Sequence, residues 1–318
     1  MNGFNWGLPD NISTYGGKID TMMGTLHVFM LALFVFWGGF YVLCIVKFRA
    51  RPGHKATYEP IHATWSKWLE IGVAVFEAAL LIGFSMPVWA SFKREFPDPA
   101  KSTQVRIVAQ QFAWNFWYPG PDGVFGKNAL ENISGGNPLG IDDADANAKD
   151  DLVLTNNLYF PIDKPVSARI SSKDVIHSFG VPALRIRQDA IPGMSIPIWF
   201  QASTEDLAKA EANAKSKMPA AQAELDEATK AAGASPTVQQ TGEVAQAQAR
   251  LNGLKQESEG GFDIACSQLC GNGHARMRAV LHAMEPAAYA TWLKAQEDEK
   301  NPPPAETPAA TPAASPAK

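Results

Sequence analysis

Cys266-Ser267-Gln268-Leu269-Cys270-Gly271-Asn272-Gly273-His274-Ala275-Arg276-Met277 places two thiols, an imidazole and a thioether within twelve residues. Imidazole and soft sulfur donors together favour copper, and a weak thioether is foreign to structural zinc sites. The run Cys-x-x-Cys-His is absent, so covalent c-type haem is not supported. The alternative is an external disulfide between Cys266 and Cys270, with His274 and Met277 incidental. The third cysteine, Cys44, lies in an apolar run and reads as a small buried hydrophobe. One close pair in an odd total argues against a disulfide framework.

Working outward, a second histidine completes a ligand set. His177 lies about ninety residues upstream, in Asp174-Val175-Ile176-His177-Ser178-Phe179-Gly180-Val181-Pro182. A cupredoxin sandwich brings an upstream strand-end histidine beside a late ligand loop. The sequence around it supports such a fold. Val105 to Ala109 alternates loosely, and Phe112, Trp114, Phe116 and Tyr118 recur at every second position. In one strand that spacing puts all four rings on one face. Pro119-Gly120-Pro121-Asp122-Gly123 then supplies a turn. Further candidate strands are 152–155, 166–171, 177–181, 196–201 and 279–283. Many short strands with Gly/Pro turns predict an antiparallel sandwich or barrel.

Two stretches interrupt this pattern. Asp142, Asp143, Asp145, Asp150 and Asp151 form an acidic run. It reads as a solvated loop, or as a docking surface for a basic redox partner. Between Ser203 and Ser258 the composition turns to Ala, Glu, Gln and Lys. Leu207, Ala210, Ala214, Met218, Ala221, Leu225 and Ala228 keep a three-four spacing, Gly233-Ala234-Ser235-Pro236 breaks it, and Val244, Ala247, Leu251 and Leu254 resume it. Ser203 with Asp206 fits a helix start. The reading is an antiparallel helical hairpin inserted between two strands. The Pro/Ala-rich tail, 301–318, is expected to be disordered.

The N-terminal part is of another kind. Runs from roughly Thr25 to Val46 and from roughly Trp68 to Trp89 each reach the about 20 apolar residues that a bilayer-spanning helix needs. Tyr41, Trp68, Trp89 and Phe92 sit near their ends as interfacial anchors. The loop between them carries Lys47, Arg49, Arg51, Lys55 and Lys67 against one acid, Glu59, which assigns it to the cytoplasm. Lys93 and Arg94 follow the second run on the opposite side. Everything after Phe92, and the N-terminus, are then external. No cleavable signal is legible in residues 1–24, so the first helix serves as its own export signal or a leader has been removed. Glu70 and Glu77, seven residues apart, share a face of the second helix. A carboxylate at membrane depth marks a proton path or a packing hydrogen bond.

The domain plan is an external tail (1–24), a two-helix anchor (25–95), a β-domain in two parts (96–203 and 259–300) around the helical insert (204–258), and the terminal tail (301–318). Net charge of −4 with no long basic run gives no support for nucleic-acid binding. The mean hydropathy of −0.13 averages an apolar N-terminus with a polar remainder.

With these residues in place the chain resembles subunit II of haem-copper cytochrome c oxidase. The resemblance covers the two helices, the aromatic strand, the segment from Val175 to Gly193 with Asp189-Ala190-Ile191-Pro192-Gly193, and the cysteine loop. It implies a membrane-anchored cupredoxin domain holding a binuclear copper centre, CuA. Cys266 and Cys270 would bridge both coppers, with His177 and His274 as terminal ligands. Met277 would be the weak ligand of one copper and the Gln268 carbonyl that of the other. It implies a one-electron relay from cytochrome c, or a cytochrome c domain of a larger assembly, to haem a. Oxygen reduction with proton pumping would occur in a partner subunit I, which holds the haems and CuB; a subunit III is a further implied partner. The implied location is the inner membrane of a bacterial cell, with the copper domain and N-terminus on the periplasmic side. Glu70 matches the carboxylate at the entrance of a proton channel.

Three departures stand out. The family pattern has glutamate at 268, whose carboxylate also binds magnesium; the neutral amide of Gln268 counts against that role. The tryptophan that receives electrons from docked cytochrome c matches Phe112, so Trp114 or Trp117 are alternative aromatics. Glu77 stands where the family often has proline. A quinol oxidase subunit would lack the copper ligands, which are all present here. A nitric oxide reductase subunit with CuA, or a copper-delivery protein binding one exchangeable ion, are the other readings.

Overall fold

The computed structural model describes residues 7–53, 55, 58, 64–93 and 96–300. The tail 301–318, Glu59, Arg94 and the Phe92 side chain lie outside that description.

Among the described residues, two helices are long and apolar enough to cross a membrane, and none of the residues in their most apolar windows is buried. The first, α1 (Gly16–Phe48), has 33 residues. At 1.5 Å per residue it is about 50 Å long, against about 30 Å of hydrocarbon. The surplus explains why it starts nine residues before the expected Thr25. Its first turns stand on the β-domain: Ile19 packs against the core, and Asp20 pairs with Arg185. The second runs as α2 (Thr64–Leu80), a π-helical turn (Leu81–Ser85) and α3 (Met86–Lys93). Pro87 has no N–H to give to the preceding turn, and a wider turn just before it accommodates the missing bond. Phe29 and Phe76 meet between the helices, ring centroids 4.9 Å apart.

Ten strands follow, in two five-stranded sheets. One has the order β3 (Leu152–Thr155), β2 (Ala113–Tyr118), β1 (Thr103–Gln110), β5 (Val166–Ser172), β8 (Ile196–Phe200). The other has the order β4 (Asn157–Pro161), β10 (Arg278–Met284), β9 (Gly261–Cys266), β6 (His177–Val181), β7 (Ile186–Ala190). The sheets are mixed and not wholly antiparallel as expected: β1–β5 and β4–β10 are parallel pairs. Their connections pass through other strands, the long crossover that parallel pairing requires. β1 alternates buried and half-exposed residues along its length, so Val105, Ile107 and Ala109 face the core.

The aromatic strand differs from expectation at one ring. Trp114, Phe116 and Tyr118 do enter the core together. Phe112 does not, because the β1–β2 hairpin turns at 111–112 and leaves it 39% exposed. Trp117, on the opposite face, is also buried, under a separate cap formed by Leu139, Ile141 and Ala148. The acidic run borders this cap, with Asp143 exposed and Asp142, Asp145 and Asp150 half-buried, and only its last member, Asp151, goes inside. Asp151 is buried and accepts hydrogen bonds from Trp117 Nε1 (2.7 Å) and Gly126 N (2.8 Å). Asp145 accepts from Lys127 N and Asn147 N.

The N-terminal stretch is no free tail where it is described. Ile12 N donates to Ala183 O, Thr14 N to Gln201 O, and Ser203 N to Ile12 O. Ile12 and Tyr15 belong to the main core. The helical insert is present as α4 (Thr204–Ala232) and α5 (Val238–Glu257). Ser203 caps α4 by accepting from Asp206 N, and Thr237 with Gln240 forms a capping box on α5. The spaced apolar residues meet along the hairpin seam, where Ala214, Ala221, Ala247 and Leu251 are buried. Leu207 and Ala210, in the first turns of α4, instead join the β-domain core. A terminal helix not foreseen from the sequence, α6 (Pro286–Lys300), stacks Trp292 on Tyr159 at 4.3 Å.

This division predicts opposite outcomes at two ends of the insert. Leu207→Ala should cost about 2–3 kcal/mol, as a core leucine does. Val238→Ala at the exposed tip should change stability by less than about 0.5 kcal/mol. Denaturant unfolding of the detergent-solubilised chain checks both; equal losses would mean the insert is one cooperative unit with the β-domain.

Candidate metal centre

Strand register sets the site. β9 lies between β6 and β10: Phe179 pairs with Cys266 on one side, and Ala265 with Arg278 on the other. Cys266, the last residue of β9, therefore falls beside His177 at the start of β6 and Met277 just before β10. Two bonds outside the strands close the seams, Ser267 N to Ser178 O (2.9 Å) and Cys266 N to Met277 O (3.2 Å). The chain then loops through Cys270 and a short 3₁₀ turn, His274–Arg276.

Six donors converge there. The thiols of Cys266 and Cys270 are free and 3.8 Å apart. His177 Nδ1 lies 3.9 Å from Cys266 Sγ, and the Gln268 carbonyl lies 3.1 Å from the same sulfur. His274 Nδ1 is 3.6 Å and Met277 Sδ 3.8 Å from Cys270 Sγ. His177, Cys266 and Cys270 have their ligand atoms within 4.8 Å of one another; His274 joins through Cys270. Two thiols are thus central, with an imidazole and a weaker donor beside each. The separate thiols remove the disulfide alternative for this conformation.

The surroundings hold these groups and shut out water. His177, Met277 and Trp114 are fully buried, and Trp114 meets His177 edge-on with ring centroids 6.2 Å apart. His177 Nε2 lies 2.8 Å from Asp174 Oδ1, which fixes the ring with Nδ1 toward the thiols. Desolvation opposes the charge on Asp174, but hydrogen bonds from His177, Gln111 N and Val175 N outweigh it and hold the carboxyl below its usual range. Burial, with Cys266 as a neighbour, pushes the Cys270 thiol up to about 11. Metal binding must therefore displace protons from these thiols. Gln111 Nε2 donates to Cys270 O at 2.6 Å. The Phe112 ring lies on the ligand loop: a Cβ at Gly273 would sit 2.4 Å from it, and one at Gly271 3.2 Å.

The remaining sequence candidates are placed as follows. Trp114 and Trp117 are buried, so of the three proposed aromatics only Phe112 reaches the surface. The Gln268 side chain points outward, and only its carbonyl meets the cluster. Glu70 and Glu77 are exposed on α2, far along the chain from the cluster. Asp174 and Gln111, which orient the ligands, were not singled out from sequence. The signal was present in the three-residue spacing of Asp174 and His177 and in Gln111 beside the aromatic strand.

Comparison with known proteins points to one family. Residues 104–210 match the profile of the cytochrome c oxidase subunit II periplasmic domain. The alternative cytochrome c oxidase subunit 2 of Bradyrhizobium diazoefficiens is 30% identical over 296 residues, covering 92% of this chain and 84% of its own. The cytochrome c oxidase subunit 2 of Cereibacter sphaeroides is 22% identical over 300 residues, covering 91% and 79%. Among solved structures, the periplasmic domain of subunit II of cytochrome oxidase of Bradyrhizobium japonicum aligns with a TM-score of 0.35 and 20% identity, over 64% of this chain and 99% of that one.

Asp174→Ala frees the His177 ring, so metal affinity is expected to fall by about 10- to 100-fold, the usual effect of losing such a partner. Competition with a chelator of known affinity measures it; an unchanged affinity would show that the strand alone orients the imidazole.

Proposed function

The chain belongs to the cytochrome c oxidase subunit II family, and from that premise we propose that it takes electrons from cytochrome c and delivers them to haem a of a partner subunit I, where oxygen is reduced to water. The donor set carries the reading: two thiols, two imidazoles, a thioether and a carbonyl suit a pair of copper ions better than zinc or a hard cation. Cys266, Cys270, His177, His274, Met277 and the Gln268 carbonyl would hold the pair. A bound copper pair supplies a one-electron store. With six protein donors around it, the pair would relay electrons without binding a substrate, unlike a catalytic metal site.

The residues around the ligands each have a task in this reading. Asp174 holds His177, and Gln111 braces the loop at the Cys270 carbonyl. Trp114 and Phe179 keep the buried side dry. Phe112, exposed over the loop, is the ring at which electrons from a docked cytochrome would arrive. Residues 25–95 are the anchor in the cell inner membrane, and 96–203 with 259–300 form the copper-binding domain on the periplasmic side around the 204–258 insert. Subunits I and III would pack against the bare faces of the two helices. Glu70 on α2 would open a proton path shared with subunit I.

In the purified oxidase complex, elemental analysis is expected to give two coppers for this chain. Gln268→Ala keeps both, since only the carbonyl is used, and His177→Ala loses them along with cytochrome c oxidation. Full turnover by a complex lacking this copper would overturn the proposal. Separately, Glu70→Gln should lower oxygen-consuming turnover with the copper content unchanged; normal proton uptake in that variant would remove Glu70 from the path.

A further inference from the structure

The outer face of the sheet that contains β1 and β5 carries a charge pattern the metal centre does not use. Arg106 on β1 and Arg169 on β5 are register partners on parallel neighbouring strands. Their neighbours Val105, Ile107, Ala168 and Ile170 face the core, so both arginines face outward. Adjacent strands lie about 4.8 Å apart, and two guanidinium groups on one face repel. Neither is in an ion pair with a carboxylate among the described residues. Arg106 is instead stacked over Trp117 (4.6 Å) and Phe125 (4.2 Å), which hold its guanidinium in place.

A third cation stands beside them. Lys173 Nζ is held by Gln110 Oε1 (2.8 Å) and Pro138 O (2.5 Å). All three line one cleft of about 670 Å³, in the range of small-molecule sites, and no carboxylate among the described residues lines it. Asp151 is the acid that acts on Arg106 from nearby, but its carboxylate is turned to Trp117 Nε1 and Gly126 N. The lip is apolar: Leu130 is 84% and Ile133 40% exposed, and Pro192 completes the rim.

We propose that this cleft binds a small organic phosphate, a phosphate monoester on an apolar body. Planar guanidinium forks match the geometry of phosphate oxygens. Three cations lining one cleft favour a dianionic head over a single carboxylate. Concavity and size select a small molecule over a flat protein surface. Leu130 and Ile133 then cover the ligand's apolar part.

Phenyl phosphate is the probe, titrated calorimetrically into the complete detergent-solubilised oxidase. One molecule is expected to bind per chain, more tightly than inorganic phosphate, while phenyltrimethylammonium does not bind. Arg169→Gln should weaken binding by about tenfold or more, with copper content unchanged, and Arg169→Lys should restore part of it. Arg106→Gln gives an independent second loss. Absence of saturable one-to-one binding, or affinity unaltered in both glutamine variants, would overturn the proposal.

Discussion

The placement of β9 between β6 and β10 is the constraint on which the rest depends. Strand pairing is discrete, since a slip of one residue sends every side chain to the opposite face. Once Phe179 is paired with Cys266 and Ala265 with Arg278, residues 89 positions apart in the chain, His177 and Cys266, have to meet. The core enforces that register from beneath. Phe179, Phe262, Ile264 and Leu281 are all buried in one cluster, and a slipped β9 would expose two of them. The candidate metal ligands are therefore held by burial of apolar area elsewhere in the sheet.

The same sheet also carries the connection to the membrane helices. Arg185, just before β7, has its side chain only 3% exposed and a left-handed φ of 56°. It donates through Nε and Nη2 to both oxygens of Asp20 on α1, and through Nη1 to Pro9 O and Pro182 O. Lys93, at the end of α3, donates to Gln188 on β7 at 3.2 Å. β7 pairs with β6, whose first residue is His177. Both helices are thus tied within one strand of the ligand histidine. A buried arginine with a two-oxygen partner resists rotation as well as separation, so orientation of the β-domain on its anchor is fixed along with distance.

Much of this was legible in the chain because it depended on local chemistry. The ligand loop announced itself by residue type and spacing, the spans by apolar length, the insert by its three-four period and its Ser203 cap. Features set by long-range pairing were not legible. Parallel pairing of β1 with β5 leaves no mark in either strand. The start of α1 at Gly16 follows from Asp20 finding Arg185, 165 residues away. Alternation over 112–118 suggested four aligned rings, but a hairpin turn has no hydrophobic period, and it removed Phe112 from the set. The acidic run looked like surface because charge is usually solvated; within it Asp151 is buried, with Oδ2 accepting from Trp117 Nε1 and Gly126 N and Oδ1 without a hydrogen-bond partner among the described residues. α6 was missed because its polar residues dominate, and only Tyr289 is buried.

Phe112 shows how that one departure bears on the site. A ring left on the strand face would be core, as Trp114 is. Turned out at 111–112, it lies across the ligand loop, and the loop can pass beneath it only without side chains at Gly271 and Gly273. Gly271 has in addition a φ of 126°, which other residues rarely adopt. The preceding Gln111 is bonded through its backbone to Asp174 and through its side chain to Cys270 O. One hairpin turn therefore touches Asp174, which orients His177, the backbone of Cys270, and Gly271 and Gly273 of the loop. Phe112 is thus supported by the candidate ligand loop at Gly271 and Gly273, so a partner docked on this ring would bear directly on that loop.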